Sequence, residues 1–287
     1  MWSRNKANLY IQDALVDFEP DLKNRLCSPP AQYRMYRDKL ILTHLVGFGG
    51  AAGGIAGTSY LLDGDSDYLT VPDSSSWFFD GGDFTIDMWF YPNTSGLGYH
   101  QGLINQYQGD NDRWAIRIAG PDNQIGYAVR DNDTWAVQVN SSTVAGRVTA
   151  DTWNHVSAER YGDEWDVYLD GTSVINVTDS SSLPDQTGTL NIGVQYGSPG
   201  VPEYCFDGQI EEIHISKGIA RHQGNFTPPI TPASSDANSV LLIHCNEAID
   251  SGTTGSGATF TDSGNVGHTV TEVGTAIRTL INAKVAD

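Results

Sequence analysis

Apolar residues recur at every second position through the middle of this chain. In DFTIDMWFYP (83–92), Phe84, Ile86, Met88 and Phe90 fall on one face of an extended segment, and Trp89 and Tyr91 on the other. SYLLDGDSDYLTV reads as strand, Asp-Gly turn, strand. GLINQY, RWAIRIAG, QIGYAVRD and TWAVQVN follow at short spacing, divided by Gly, Asn and Asp. WNHVSAERYGDEWDVYLDGTSV predicts a hairpin with a Tyr-Gly-Asp turn and a further Asp-Gly turn; GTLNIGVQY and FDGQIEEIHISKG complete the run. Short strands with turn signals about every 8–12 residues predict an all-β fold of two antiparallel sheets packed as a sandwich. Trp153, Val156 and the Trp165/Val167/Leu169 face are expected inside, with Glu164, Asp166 and Tyr168 facing the other way.

The N-terminus breaks this rhythm. Residues 1–40 form an arm with a candidate helix, its stripe being Leu9, Ile11, Leu15, Val16 and Phe18 before Pro20; Ser28-Pro29-Pro30 ends any helix. KLILTHLV (39–46) is a strand candidate. The GFGGAA that follows matches GxGxxA from Gly47 to Ala52, the outline of a dinucleotide-binding turn. That mechanism needs a helix N-terminus directly after the glycines, to hold a pyrophosphate. Here more glycine and an alternating run follow, so the motif is read as incidental.

Composition agrees with a β fold: 31 glycines, only 18% charged residues, and no long window rich in helix formers. The net charge of −19 is unevenly spread. Residues 1–40 carry 7 basic and 5 acidic side chains; the other 247 residues carry 9 and 30. A body this acidic repels a phosphate backbone, which argues against nucleic acid as a partner. Cys27, Cys205 and Cys245 make no disulfide framework, and no CxxC pair suggests zinc. No secretory signal core and no run of about 18 apolar residues appear, so the chain is expected to be made in a cytoplasm and to cross no membrane.

Four stretches, in order and at matching spacing over about residues 59–222, resemble the laminin-G-like, concanavalin A-like sandwich family. They are LLDGDSDYLTVP with DFTIDMWFYP, TWNHVSAERYGDEWDVYLDG, LNIGVQYG and FDGQIEEIHISKGIAR. The last departs from the family pattern at Glu211, where Asp is common. The resemblance implies a jelly roll. It further implies that residues 41–287 form one such domain. LLIHCNE…DSGNVGHTV (241–270) looks like the opening of a module, yet it follows the rest of the chain. Residues 238–277 are therefore expected to supply the domain's first strands, in a permuted chain or by exchange with a neighbour.

Similar phrasing marks bacteriophage virion proteins. That resemblance implies a non-enzymatic virion structural protein (a capsid decoration, head-fibre or tail-associated component) exposed on the particle surface. Its arm would contact capsid or other virion proteins, and it would act as a homo-oligomer or part of a larger assembly. The alternative is a glycan-binding adhesion module, and a glycoside hydrolase ranks behind both. Related sandwich glycosidases carry paired carboxylates on one strand face. Glu164 and Asp166 share a face here, but position 168 is Tyr and Asp170 falls in a turn. No Gly-x-Ser-x-Gly elbow exists, and the seven histidines suggest no triad or ligand pair. Calcium is the best metal candidate, at Asp110, Asn111 and Asp112 in QGDNDR, or in DGDSD (63–67). Plain Asx-turn chemistry explains both loops equally well. Tyr99, Tyr107, Trp135, Tyr196 and Tyr204 are the candidates for stacking on sugar rings.

Overall fold

The computed structural model describes residues 58–109, 112–131, 134–140, 146–197, 201–245, 259–274 and 277–280. The expectations for the 1–40 arm, the 39–46 strand and the 47–52 glycine motif lie outside these. With strands numbered in chain order, one sheet runs β10 (Thr172–Thr178), β9 (Glu164–Leu169), β8 (Asn154–Tyr161), β3 (Phe84–Pro92), β14 (Asp207–Lys217), β1 (Thr58–Asp63) and β18 (Ile277–Leu280). β15 (Ser239–Ile243) also pairs with β14. The second sheet runs β16 (Thr259–Phe260), β17 (Val270–Val273), β2 (Tyr68–Val71), β11 (Leu190–Ile192), β4 (Gln101–Gly109), β5 (Asp112–Ala119), β6 (Gln124–Asp131) and β7 (Thr134–Asn140). A small hairpin, β12 (Val194–Gly197) and β13 (Val201–Cys205), stands apart from both. Neighbouring strands are antiparallel, as a jelly-roll sandwich requires. A 3-10 turn spans Thr94–Gly96, and among the described residues no helix is long and apolar enough to cross a membrane.

The alternation read from sequence fills the space between the sheets. Phe84, Ile86, Met88 and Phe90 of β3 meet Trp114, Ile116 and Ile118 of β5 in one buried cluster. Tyr127 of β6 and Trp165 of β9 join the two layers with ring centroids 5.9 Å apart. Each such side chain removed from water contributes about 1.5–3 kcal/mol. Trp153 is a correction: it precedes β8 rather than alternating with it, and it is half-buried at the rim, 5.7 Å from the Tyr91 ring.

Residues 238–277 feed both sheets of their own chain. β14 is long enough for two neighbours on one edge: β1 pairs with its first half (Tyr60↔Ile210) and β15 with its second (Ile213↔Ile243). A bulge at Glu212, whose φ is 51°, marks the changeover. The bulge turns the Glu212 carboxylate to accept from the Ala233 N–H at 3.0 Å and from His244 Nδ1 at 2.9 Å. β17 lies between β16 and β2 in the second sheet.

The two outer faces differ. The first sheet's outer face is polar, with Asp87, His155, Ser157, Glu159 and His214 all buried. Residues 218–236 form a strap across it. Glu159 accepts from the backbone N–H groups of His222 (3.0 Å) and Gln223 (2.7 Å) and from the Tyr168 hydroxyl (3.2 Å). Tyr168, which points away from the core, is buried under this strap and accepts from the Gly224 N–H at 2.9 Å. His222 stacks on Phe226 at 3.5 Å and meets the Asp87 carboxylate at 3.0 Å. Phe226 in turn donates to the Gly171 carbonyl, 2.9 Å. Gly171 has φ +75°, and a Cβ there would strike the Phe226 carbonyl, so strap and turn fit only around glycine.

Candidate functional site

With the first sheet's outer face strapped over, the second sheet's outer face is the place to seek a site. Its β4 carries the β12–β13 hairpin. Gly193 donates to the Leu103 carbonyl at 2.8 Å, and Asn105 Nδ2 donates to the Val194 carbonyl. The contact is backbone on backbone at Gly102, where a Cβ would collide with Val194 and Gln195. Glycine is present because another chain segment lies on this strand, a reason that sequence alone does not reveal.

The hairpin assembles most of the predicted aromatic residues. Tyr196 stacks on Tyr107 of β4, centroids 5.1 Å apart at 16°. Burial raises the pKa of the Tyr196 phenol, reinforced by its hydrogen bond with Tyr68. Tyr204 stands edge-on to His100, 5.6 Å away. Burial and then the Glu203 carboxylate push the Tyr204 phenol up, against the pull of Arg117 and Arg113. His100 is held low by burial and by the charge of Arg117, so its ring is neutral at pH 7. Tyr99 is exposed (43%), two residues before β4. Trp135 lies on β7, in register opposite Arg130 of β6.

Strand register adds residues that the sequence reading missed. Tyr107, Arg113, Arg130 and Trp135 are consecutive partners across β4, β5, β6 and β7. Two residues along the strands, Asn105, Ala115 and Ala128 form the next row, and Gly102, Arg117 and Gly126 the one after. Trp114, Ile116 and Ile118 point into the core, so Arg113, Ala115 and Arg117 point out. The sequence held a signal for this: in RWAIR the two arginines are four apart, an even spacing that places both on one strand face.

The other candidates are used structurally. Glu164 accepts from Thr178 Oγ1 (2.8 Å), Asp166 from Ser173 Oγ (3.1 Å) and Asn176 Nδ2 (2.9 Å), and Asp170 from the His155 N–H (2.8 Å). The first two thus tie β9 to β10, on the far sheet from the hairpin. Asp110 and Asn111 lie outside the described residues; Asp112 opens β5, half-buried. In the DGDSD loop, Asp63 Oδ1 accepts from the N–H groups of Asp65, Ser66 and Asp67 at 2.9, 3.0 and 3.3 Å. That is the Asx-turn role, and it occupies the loop's first carboxylate. Among the described residues no three His, Cys, Asp or Glu side chains converge as metal ligands.

Residues 63–223 match the concanavalin A-like lectin/glucanases superfamily, in its laminin-G type 3 form. The chain belongs to that superfamily. No curated protein matches the sequence closely. Among solved structures, a candidate carbohydrate-binding protein from Bacteroides ovatus superposes with TM-score 0.57 at 15% identity, over 80% of this chain and 61% of that one. Domain 4 of AbnA, an extracellular arabinanase from Geobacillus stearothermophilus, in complex with arabinotriose, gives 0.46 at 18%, covering 58% and 74%. Mouse laminin α1 domains LG4–5 give 0.43 at 14%, covering 60% and 44%. The chain spans about three fifths of the Bacteroides protein, and at such identities the likeness is one of fold.

Proposed function

We propose that this superfamily member is a non-catalytic glycan-binding module, and that its site is the outer face of the second sheet beneath the β12–β13 hairpin. The observation that carries this reading is the apposition of Tyr107, Tyr196 and Tyr204 by one hairpin laid across β4. Tyrosines held rigidly in one wall offer apolar faces to the C–H groups of a pyranose and hydroxyls to its polar edge. The fold relationship to a candidate carbohydrate-binding protein supports the same class. A glycan array probed with the full chain, with and without calcium, tests it. Saturable binding that Tyr107→Ala and Tyr204→Ala abolish is expected. No binding at high protein concentration under either condition removes the reading.

The virion setting is a separate proposal, carried by the phrasing of the sequence alone. In it, residues 1–40 anchor the chain to capsid or neighbouring subunits, and the sandwich is displayed outward. Deleting residues 1–40 leaves a folded sandwich that no longer incorporates into particles; normal incorporation would end the idea.

A further inference from the structure

Past residue 40 the chain has nine basic side chains against thirty acidic ones. Three of the nine, Arg113, Arg117 and Arg130, lie on adjacent strands of one sheet face. Arg113 and Arg130 are direct cross-strand partners. Three arginines elsewhere in the body have carboxylates: Arg147 pairs with Asp122, Arg160 with Asp163 and Arg221 with Asp236. Arg117 does not. Among the described residues its guanidinium has no ion pair, and its Nε is buried with no hydrogen-bond partner. The groups that act on it are Arg113, which opposes its charge, and the Tyr204 phenol; burial lowers its pKa first and Arg113 lowers it further.

A half-buried guanidinium whose Nε meets no acceptor, and whose charge Arg113 opposes, is costly unless an anion reaches it. The surroundings give the anion's carrier a shape. Between the arginine rows lies the Ala115–Ala128 row, small outward-directed side chains that are themselves buried, 2% and 3% exposed. Gly102 and Gly126 flank Arg117 in register, so no side chain stands beside it on either strand. The Tyr204 hydroxyl and the neutral His100 ring close the hairpin side. We propose that this face takes an acidic saccharide, with the anionic group of one sugar residue bound at Arg117 and Arg113 and the ring against the tyrosines of the hairpin. The planar guanidinium fork suits a carboxylate or a sulfate, both of which accept two parallel N–H bonds. A single acidic group is compatible with the charge of the body, whereas a long polyanion is repelled by the rest of it.

The inference rests on the glycan-binding reading, and its test separates the two. The full chain is titrated by calorimetry with an oligogalacturonate, a sulfated oligosaccharide and neutral oligosaccharides of the same length. Binding of an acidic series and not the neutral ones is expected, with the carboxylated and sulfated arms showing which anion fits. Arg117→Gln should weaken it about 10- to 100-fold, the usual scale for a charge-assisted hydrogen bond. Raising the salt should weaken it as well. Arg147→Gln, on an exposed pair elsewhere, should change nothing. A melting curve for Arg117→Gln like that of the parent shows the loss to be local. Neutral sugars bound as tightly as acidic ones, or a folded Arg117→Gln that binds undiminished, overturns the acidic-ligand inference and leaves the glycan-binding reading standing. No binding to any saccharide overturns both.

Discussion

His268 Nδ1 donates to the Asp262 carboxylate across 2.8 Å, while its Nε2 stands 3.1 Å from Ser76 Oγ and 3.2 Å from Ser74 Oγ. The Asp262 side chain is fully buried and also accepts from the N–H groups of Leu242 (2.9 Å), Gly264 (2.8 Å) and His268 (2.7 Å). One carboxylate thus joins the end of β15, the 262–268 turn and the 74–76 loop. The relay has the order of a nucleophile, base and orienting acid, but here it is a clasp. The His268 side chain is 8% exposed, packed on Trp77 at 4.6 Å, and Ser76 is buried.

Asp262→Ala is expected to destabilise the protein by about 3–5 kcal/mol, the scale for removing one partner of a buried pair. Burial opposes the Asp262 charge, but its hydrogen bonds win and hold its pKa below the ordinary carboxylate value. A folded pKa lower than the unfolded one stabilises above about pH 4, and that stability is lost as pH falls through the folded value. Urea midpoints measured between pH 7 and pH 3 should fall on the acid side, and less steeply in Asp262→Asn.

The clasp should also be chemically silent. Neither Ser74 nor Ser76 is expected to react with a fluorophosphonate probe while the chain is folded, because the ring nitrogen that would activate them is enclosed. Stoichiometric labelling, blocked by His268→Ala, would reclassify the relay as a hydrolase site.

Gly102→Val places a branched side chain where the backbone of Val194 and Gln195 rests. Overpacking of this kind costs about 1–3 kcal/mol. The hairpin should lift, with faster amide exchange confined to residues 194–205 and weakened saccharide binding. Unchanged exchange there would show that the hairpin is not seated on β4.

The strap depends on Glu159. Glu159→Ala deprives the His222 and Gln223 N–H groups of their acceptor, at about 1–3 kcal/mol for each donor that stays buried. Release of the strap relieves that cost, so trypsin should cut after Arg221 in the variant well before it cuts the parent.

Glu164→Ala with Asp166→Ala should cost stability without removing an activity. Both carboxylates are occupied by β10 side chains, and their sites are partly exposed, so about 1 kcal/mol is expected. Hydrolysis of β-glucans by the parent, lost in the double variant, would contradict this.

Much of the fold was legible because strand alternation is local: each of Phe84, Ile86, Met88 and Phe90 declares its face by its distance from the next. The misplaced module opening near Asp262 was legible as phrasing, but its partners were not. Ser76 and His268 are 192 positions apart, and no periodicity connects them. Trp153 was misread for a local reason, since it lies one residue before the alternation begins. The aromatic candidates could be named from loops and strand ends. Their assembly could not, because the hairpin's seat on Gly102 is a contact between distant backbones.

The sequence by itself determined a two-sheet sandwich of this superfamily, its acidic body and the inward face of each strand, since hydrophobic burial acts on every strand in turn. Only the tertiary structure decided what lies on each outer face. The strap covers one sheet and the hairpin walls the other, and cross-strand register sets Arg130 beside Arg113, with Arg117 beyond the Ala115–Ala128 row. Register and loop placement follow from packing between segments far apart in the chain, and local pattern carries no record of them.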